Sequence, residues 1–336
     1  LVNWSLNLAH NRLGVSGTKI LAQAIGSIKS GPGIFSIDLS WNRLGGVGSI
    51  YIATALQTNG TVVSLNLRHN NIDETSSKSM TEALKVNHVL KSINLSQNKL
   101  GDQGAIALSD AIRCINCAQR EVLGNETLES RSEMAENNLN LAKIHSGCIS
   151  MKDVTESEVL LQCSPGEIPL EHAKISVCGA QASECLSLVS LNLSGNQIGK
   201  CGIQALAKAL KLNHSIQDLN ISRNLFEGEG AAQMAEAIQD TRALVILNME
   251  WCLSEGMGVA NIATALETNE TIQKLYLGGN GIQDKGAHFL ANMLKTNRTL
   301  NHLNLKCNRI GDIGANYFSE VFASNSTFKN LTLWGE

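Results

Sequence analysis

The sequence predicts an α/β solenoid, in which short parallel strands and helices alternate and stack along one direction. An apolar-x-apolar tripeptide recurs ten times, and seven of the nine gaps between successive copies are 28 residues long. An Asn follows most copies at a constant distance, and an amphipathic helical pattern follows the Asn. A fixed period of this size is typical of units that cannot bury an apolar face alone and must stack on one another.

Each tripeptide predicts a short strand. In residues 188–215, Leu191 and Leu193 are two positions apart, so their side chains lie on one face of the strand. The first apolar residue of each copy is Leu6, Ile37, Leu65, Ile93, Leu191, Leu219, Leu247, Leu275, Leu303 and Leu331.

A turn follows each strand. Asn196 lies where the chain leaves the strand, and its amide is suited to hydrogen-bond unpaired backbone groups of its own coil and toward the next. Cys252 replaces this Asn in one repeat, where its thiol is expected to hydrogen-bond weakly in the same place. The turn position is otherwise occupied by Asn11, Asn42, Asn70, Asn98, Asn196, Asn224, Asn280 and Asn308.

A helix completes each repeat. Ile203, Leu206, Ala207 and Leu210 fall at i, i+3, i+4 and i+7, the apolar stripe of an amphipathic helix. Helices are about 10 Å wide and strands lie about 4.8 Å apart. The stack is therefore expected to curve into a horseshoe, with parallel strands on the concave face and helices on the convex face.

The pattern L-x-x-L-x-L-x-x-N, followed by a helix in a 28-residue unit, resembles the ribonuclease-inhibitor-type leucine-rich repeat family. That family includes ribonuclease inhibitor, the sensor regions of NOD-like receptors and the activator protein of the Ran GTPase. The resemblance covers about 265 residues of the chain. It implies the same solenoid fold and a protein partner bound on the curved surface.

One gap interrupts the period and divides the chain. Ile93 and Leu191 are 98 residues apart, which is one period plus 70 residues. We therefore predict four repeats in residues 1–113, a non-repeat segment in 114–183, and five repeats with a truncated sixth in 184–336. The segment holds five Lys or Arg against ten Asp or Glu, which favours a disordered acidic loop. A translated intron or mispredicted exon and a small functional domain are the alternatives.

Composition excludes several function classes. The net charge of −3 and the pI of about 6.3 give no reason to expect nucleic acid or an anionic membrane as partner. No apolar run is long enough to span a bilayer. No P-loop, G-x-S-x-G or H-E-x-x-H motif occurs, so neither enzyme activity nor a cofactor is predicted. The chain starts at Leu1 inside a repeat and ends before a turn Asn is due, so we expect an excerpt or an incomplete gene product.

The nine cysteines predict neither a disulfide framework nor a metal site. Cys114 and Cys117 have the spacing of half a zinc site, but no second half follows. Cys201, Cys252 and Cys307 recur within repeats and are expected to be buried free thiols. The odd number favours a reducing compartment. We expect a cytoplasmic protein, with nuclear localisation left open.

The exposed strand positions change character along the chain. In the early repeats they are Ser and Asn, whereas the later repeats introduce Ile, Lys, Tyr and His. Aromatic and charged side chains together are typical of interface hot spots. The predicted partner-binding residues are therefore Glu250, Trp251, Lys274, Tyr276, His302, Lys306 and Trp334. The alternative is that the two tryptophans pack over turns against neighbouring repeats.

A smaller cluster on the first three repeats, His10, Trp41, Arg68 and His69, is a second candidate surface. The leading functional hypothesis is a monomeric protein-interaction scaffold with a regulatory or signalling role. The resemblance also implies two alternatives, a GTPase-activating protein of the Ran-activator type and the sensor region of a NOD-like receptor. Arg43, Arg68 and Arg223 lie near the turns, and we assign none of them a catalytic role in the first alternative.

Overall fold

The computed structural model describes residues 4–123 and 188–334, apart from residues 225, 255, 257 and 323, and describes side chains in the first range up to residue 113. Ten strands and nine helices alternate in these residues. The strands are β1 (Trp4–Asn7), β2 (Ile34–Asp38), β3 (Ser64–Asn66), β4 (Ser92–Asn94), β5 (Ser190–Asn192), β6 (Asp218–Asn220), β7 (Ile246–Asn248), β8 (Lys274–Tyr276), β9 (His302–Asn304) and β10 (Asn330–Thr332). Each strand and the chain that follows it, up to the next strand, form one coil, and the coils take the numbers of their strands.

The helices follow the strands one by one. They are α1 (Gly14–Ser27), α2 (Gly45–Leu56), α3 (Glu74–Val86), α4 (Gly101–Leu123), α5 (Lys200–Leu212), α6 (Glu227–Asp240), α7 (Val259–Thr268), α8 (Gln283–Thr296) and α9 (Asp312–Phe322).

The strands form one parallel ten-stranded sheet in sequence order. Equivalent apolar residues face each other from strand to strand, as Leu65 pairs with Ile93 and Leu247 with Leu275. This register places the Leu and Ile side chains of successive coils on one buried face. The predicted α/β solenoid with parallel strands is confirmed.

The sheet continues across the interruption in the repeat. Ile93 of β4 pairs with Leu191 of β5 as in any other pair of coils. The Asp102 carboxylate at the start of α4 also accepts the N–H groups of Gly199 and Gly202, at 2.7 and 2.9 Å. Coils 4 and 5 are therefore direct neighbours, although 98 residues separate their equivalent positions.

Helix α4 runs past the boundary that the sequence predicts at residue 113, since it ends at Leu123. No Gly or Pro occurs between Arg113 and Gly124 to end it earlier. The chain divides into two units, one of Leu1–Asn116 with Cys185–Glu336 and one of Cys117–Glu184. The first unit is the solenoid. The remainder of the predicted loop, residues 124–183, lies outside the described residues.

The core lies between the sheet and the helices. The predicted helical stripe of Ile203, Leu206, Ala207 and Leu210 is buried, with at most 2% of any side chain exposed. Leu219 and Leu247 of the sheet are fully buried against it. The amphipathic pattern therefore predicted the buried face of α5 correctly.

The turn asparagines form a buried row, the asparagine ladder, that binds each coil to the one before it. Nδ2 of Asn70 donates to the Leu39 carbonyl at 2.8 Å, and its Oδ1 accepts the Asn42 N–H at 2.9 Å. The expectation that this amide reaches toward the next coil is wrong. Backbone N–H groups at the strand ends point to the following coil, as Trp41 donates to the Arg68 carbonyl. The side chain that receives such groups must therefore belong to that following coil.

A second row of buried asparagines, whose role we did not predict from the sequence, lies at the turns from helix to strand. Nδ2 of Asn297 donates to the Leu266 carbonyl of the preceding coil at 2.6 Å, and its Oδ1 accepts the Leu300 N–H at 2.8 Å. The row contains Asn59, Asn87, Asn213, Asn269, Asn297 and Asn325. The same 28-residue spacing was the available signal.

Cys252 takes the place of an asparagine in the ladder. Its Sγ lies 3.2 Å from the Ile221 carbonyl oxygen, which confirms the predicted thiol contact, and burial raises its pKa to about 12. Cys201 is exposed and Cys307 is half-buried. The prediction that all three thiols are buried is therefore wrong for these two, which lie on an outward helix position and in a surface turn.

Candidate functional site

The asparagines of the early strand face are tied to their own backbone. Oδ1 of Asn66 accepts the Arg68 N–H at 3.1 Å, and Oδ1 of Asn192 accepts the Ser194 N–H at 3.0 Å. This local hydrogen bond to the residue two positions on ends the strand. The repeated Asn therefore has a structural role in each coil. Tyr276 occupies this position in coil 8, so the strand face there presents an aromatic side chain in place of the Asn that bonds to its own backbone.

The C-terminal strand face, defined as Glu250, Lys274, Tyr276, His302 and Lys306, is where the diversified side chains meet. Lys274 and His302 are register partners on adjacent strands. The rings of Tyr276 and His302 have centroids 5.1 Å apart at an angle of 46°. These predicted binding residues therefore form one continuous patch on β8 and β9, bordered by the end of β7.

An ion pair on this face joins coils 7 and 9 and passes over coil 8. Nζ of Lys306 lies 3.3 Å from Oε1 of Glu250, and Nδ2 of Asn304 donates to the same oxygen at 3.1 Å. Gly278 occupies the equivalent position in the coil between them, and a Cβ there would lie 2.9 Å from Cγ of Lys306 and 3.0 Å from Oε1 of Glu250. The glycine gives the two side chains room to meet.

Trp251 and Trp334 lie beside this face in different environments. The Trp251 indole covers Gly279 of the next coil, where any Cβ would overlap the ring. It still exposes 47% of its surface. Trp251 therefore packs on a neighbouring repeat, as the alternative prediction has it, and also leaves almost half of its surface exposed. Trp334 is one period beyond Lys306 and is 89% exposed.

Two titratable groups of the sheet have shifted pKa values. Burial raises the pKa of Asp218, and a hydrogen bond from Ser190 and the charge of Lys274 partly offset this. Burial, followed by the nearby charge of Lys274, lowers the pKa of His302. Both effects favour the neutral form of His302, in which its ring packs against Tyr276 without an added charge beside Lys274.

The smaller N-terminal cluster is also brought together. The Trp41 indole stacks between two imidazoles, with centroids 5.2 Å from His10 and 3.5 Å from His69. Nε of Arg68 donates to Oε1 of Gln97 at 3.1 Å. The three stacked residues precede the ladder asparagine of their coils and share a left-handed backbone, with φ between 54° and 60°. This shared conformation aligns their rings along the stack.

The described residues hold no group of three or more His, Cys, Asp and Glu side chains arranged to bind a metal ion. The side chains of Cys114 and Cys117, which have the spacing of half a zinc site, lie outside the described part of the chain. Among the described helices, none combines the length and the apolar character that a membrane span requires.

A leucine-rich repeat model matches four segments of the chain, residues 86–109, 184–207, 268–291 and 296–319. These four segments are leucine-rich repeats. The matched segments lie on both sides of the interruption and share the period of the whole sheet. Leucine-rich repeats stack into extended surfaces that bind other proteins. No curated protein sequence matches the chain.

Two solved structures resemble part of the leucine-rich repeat solenoid. An actin-binding site 2 fragment of leiomodin-1 has 18% sequence identity and a TM-score of 0.35. The match covers 40% of this chain and 82% of the leiomodin-1 chain. The C-terminal domain of a Caenorhabditis elegans tropomodulin has 15% sequence identity and a TM-score of 0.36. The match covers 41% of this chain and 83% of the tropomodulin chain. At these TM-scores neither similarity indicates a shared partner.

Proposed function

We propose that this protein is an interaction scaffold that binds a partner protein on the C-terminal strand face. The observation that carries the proposal is the replacement of Ser and Asn at repeated positions by Lys274, Tyr276 and His302, which lie together on β8 and β9. The fold does not require these residues, because Ser and Asn at the same positions form the same strands in coils 3, 4 and 5.

The patch has the composition of a binding site. Tyr276 is half-buried and provides a large amphipathic surface at low entropic cost. Lys274 is exposed, and no carboxylate of the described residues lies within ion-pair distance of it. The Glu250–Lys306 pair lies at one border of the patch. We therefore propose a partner that covers Tyr276 with an apolar group and supplies a carboxylate to Lys274.

Reversion to the repeat consensus tests this proposal without disturbing the fold. The triple variant Lys274→Ser, Tyr276→Asn, His302→Ser carries the residues of coils 3 to 5. A matched control, Lys208→Ser, Lys285→Ser, His288→Ser, changes exposed side chains of α5 and α8. Each immobilised protein is incubated with cell extract, and the captured proteins are quantified by mass spectrometry.

We expect at least one captured protein to be depleted about tenfold or more by the consensus triple and to be unchanged by the control. Its purified form should then bind the wild type directly in a two-component titration. Equal capture by wild type and consensus triple would remove the C-terminal strand face as the binding site.

We also propose that the repeats are of the ribonuclease-inhibitor type, since a full helix follows each strand in 28-residue units. No contact in the described residues favours the GTPase-activating alternative. Arg43 and Arg68 lie on neighbouring coils, whereas Arg223 lies on coil 6, so these arginines do not converge on one site.

A further inference from the structure

We propose that the loop edge of coils 1 to 3 is a second binding surface, which takes an acidic peptide segment of a protein partner. Its residues are Arg12, Arg43 and Arg68, named here the arginine edge. The inference goes beyond the proposed function, because these residues lie on other coils than the C-terminal strand face and follow from different observations.

The three arginines lie on successive coils, where Arg12 and Arg43 each follow a ladder asparagine directly and Arg68 comes two residues before one. The N–H of His10 donates to the Ser40 carbonyl at 2.9 Å, and the N–H of Trp41 donates to the Arg68 carbonyl at 3.0 Å. Adjacent parallel strands lie about 4.8 Å apart, so the backbones of the three coils that carry these arginines span about 10 Å. This is the length of three to four residues of extended peptide, at about 3.3 Å per residue.

The arginine edge keeps its charge unpaired within the described residues. All three side chains are exposed, and none lies within ion-pair distance of a described carboxylate. Lysines of the helix face differ, because several pair with a carboxylate on the next coil. These pairs are Lys200 with Glu229, Lys211 with Glu236 and Asp240, and Lys295 with Glu320.

The carboxylates of the same coils are already engaged. Asp38 accepts the Ser40 N–H and an amide hydrogen of Asn66, at 2.8 and 3.0 Å. Asp73 accepts the hydroxyl of Thr75 and the N–H of Ser76 at the start of α3. Glu74, in the first turn of α3, is the remaining described carboxylate at this edge of coils 1 to 3. Three arginine side chains therefore face solvent, and most carboxylates at this edge of the same coils already accept hydrogen bonds from other groups.

Guanidinium groups bind carboxylates through two parallel hydrogen bonds, which suits Asp and Glu side chains of a peptide. Nε of Arg68 donates to Gln97, and its terminal nitrogens donate to no described residue. Both faces of the Trp41 indole are covered by His10 and His69. No base can stack on this ring, so the surface lacks the free aromatic platform that single-stranded RNA requires. An acidic peptide is the better match.

A titration with defined probes tests the arginine edge. The probes are a fluorescein-labelled peptide of alternating Glu and Ser, the same peptide with Gln for Glu, and an oligouridylate of equal charge. The test variant is Arg12→Gln, Arg43→Gln, Arg68→Gln. The control variant, Lys78→Gln, Lys208→Gln, Lys285→Gln, removes the same charge from exposed helix positions. Fluorescence anisotropy at an ionic strength of about 0.1 M, where the Debye length is about 10 Å, gives each Kd, and thermal unfolding confirms that both variants fold.

We expect the Glu peptide to bind the wild type, the Gln peptide not to bind, and the arginine triple to weaken binding about tenfold or more. The lysine control should stay within about twofold, since its charges are distant and screened. The consensus triple of the C-terminal strand face should bind the Glu peptide like the wild type, which separates this proposal from the first. Equal weakening by both charge-removal triples, tighter binding of the oligouridylate, or no binding of the Glu peptide would each overturn the proposal.

Discussion

Glu250 and Lys306 form an ion pair across an entire coil, with Oε1 and Nζ 3.3 Å apart, because Gly278 between them has no side chain. Side chains at one repeat position normally lie next to their counterparts one coil away. Here two counterparts, two coils apart, meet over a third. The missing side chain thus determines which charges of the C-terminal strand face are paired before a partner binds.

A side chain at position 278 should remove the interaction energy between Glu250 and Lys306. In a double-mutant cycle with Glu250→Gln and Lys306→Met, we expect a coupling energy of about 0.5 to 1 kcal/mol, because the pair is only partly screened by solvent. The same cycle in a Gly278→Val background should give a coupling near zero. Urea unfolding measures each variant. The Lys295–Glu320 pair on the helix face is the control, and its coupling should not respond to Gly278→Val.

The asparagine ladder should contribute far more in the interior than at the first coil. Asn70→Ala removes the donor to the Leu39 carbonyl and the acceptor of the Asn42 N–H, both buried. We expect a loss of about 2 to 4 kcal/mol in the free energy of unfolding, since buried polar groups lose their partners. Among the described residues, Asn11 is exposed and donates only to carbonyls of its own coil, so Asn11→Ala should cost about 0.5 to 1 kcal/mol. Equal losses in chemical denaturation would contradict this role of the ladder between coils.

Removal of residues 114–183 should leave a folded solenoid. Joining Arg113 to Glu184 restores the 28-residue spacing between Ile93 and Leu191, which already pair. The contacts between coils 4 and 5, from Asp102 to Gly199 and from Asn196 to Leu95, lie outside the excised residues. We expect one cooperative urea transition, with a free energy of unfolding unchanged or about 1 kcal/mol higher.

A slightly longer excision is the control for this prediction. Removing residues 114–187 and joining Arg113 to Leu188 takes out four more residues and breaks the period. That variant should lose stability or unfold. A folded control beside an unfolded 114–183 excision would show that the repeat register assigned here is wrong.

His302 should make stability depend on pH. Burial and the Lys274 charge lower its pKa below the ordinary value of 6.5, so the folded state binds fewer protons than the unfolded state as the pH falls through 6.5. Stability therefore falls with acidification from pH 6.5 down to the lowered folded-state pKa. Asp218, whose pKa is raised, acts with the opposite sign above its ordinary value of 3.8. His302→Gln should flatten the pH profile of unfolding just below pH 6.5. A profile unchanged from the wild type would contradict the assignment.

Much of the candidate site was predictable, but not how its members contact each other. The change from Ser and Asn to Lys274, Tyr276 and His302 is visible in the sequence, and the period puts these positions on adjacent strands. The role of Gly278 was not predictable. A glycine at that position looks like an ordinary turn residue until the side chains on either side are known to meet above it.

The sequence by itself determined the period, the strand and helix positions and the continuation of the sheet beyond the interruption. Repeats that each carry an apolar face can bury it only by stacking on one another, so the local sequence pattern also specifies the fold. Only the tertiary structure decided the direction of the asparagine ladder, the ion pair over Gly278 and the stacking of Trp41 between His10 and His69. These depend on which backbone groups and side chains of neighbouring coils come within hydrogen-bonding or van der Waals distance. Periodicity places residues on a common face, but contact between coils also depends on side-chain length and on the space that neighbours leave.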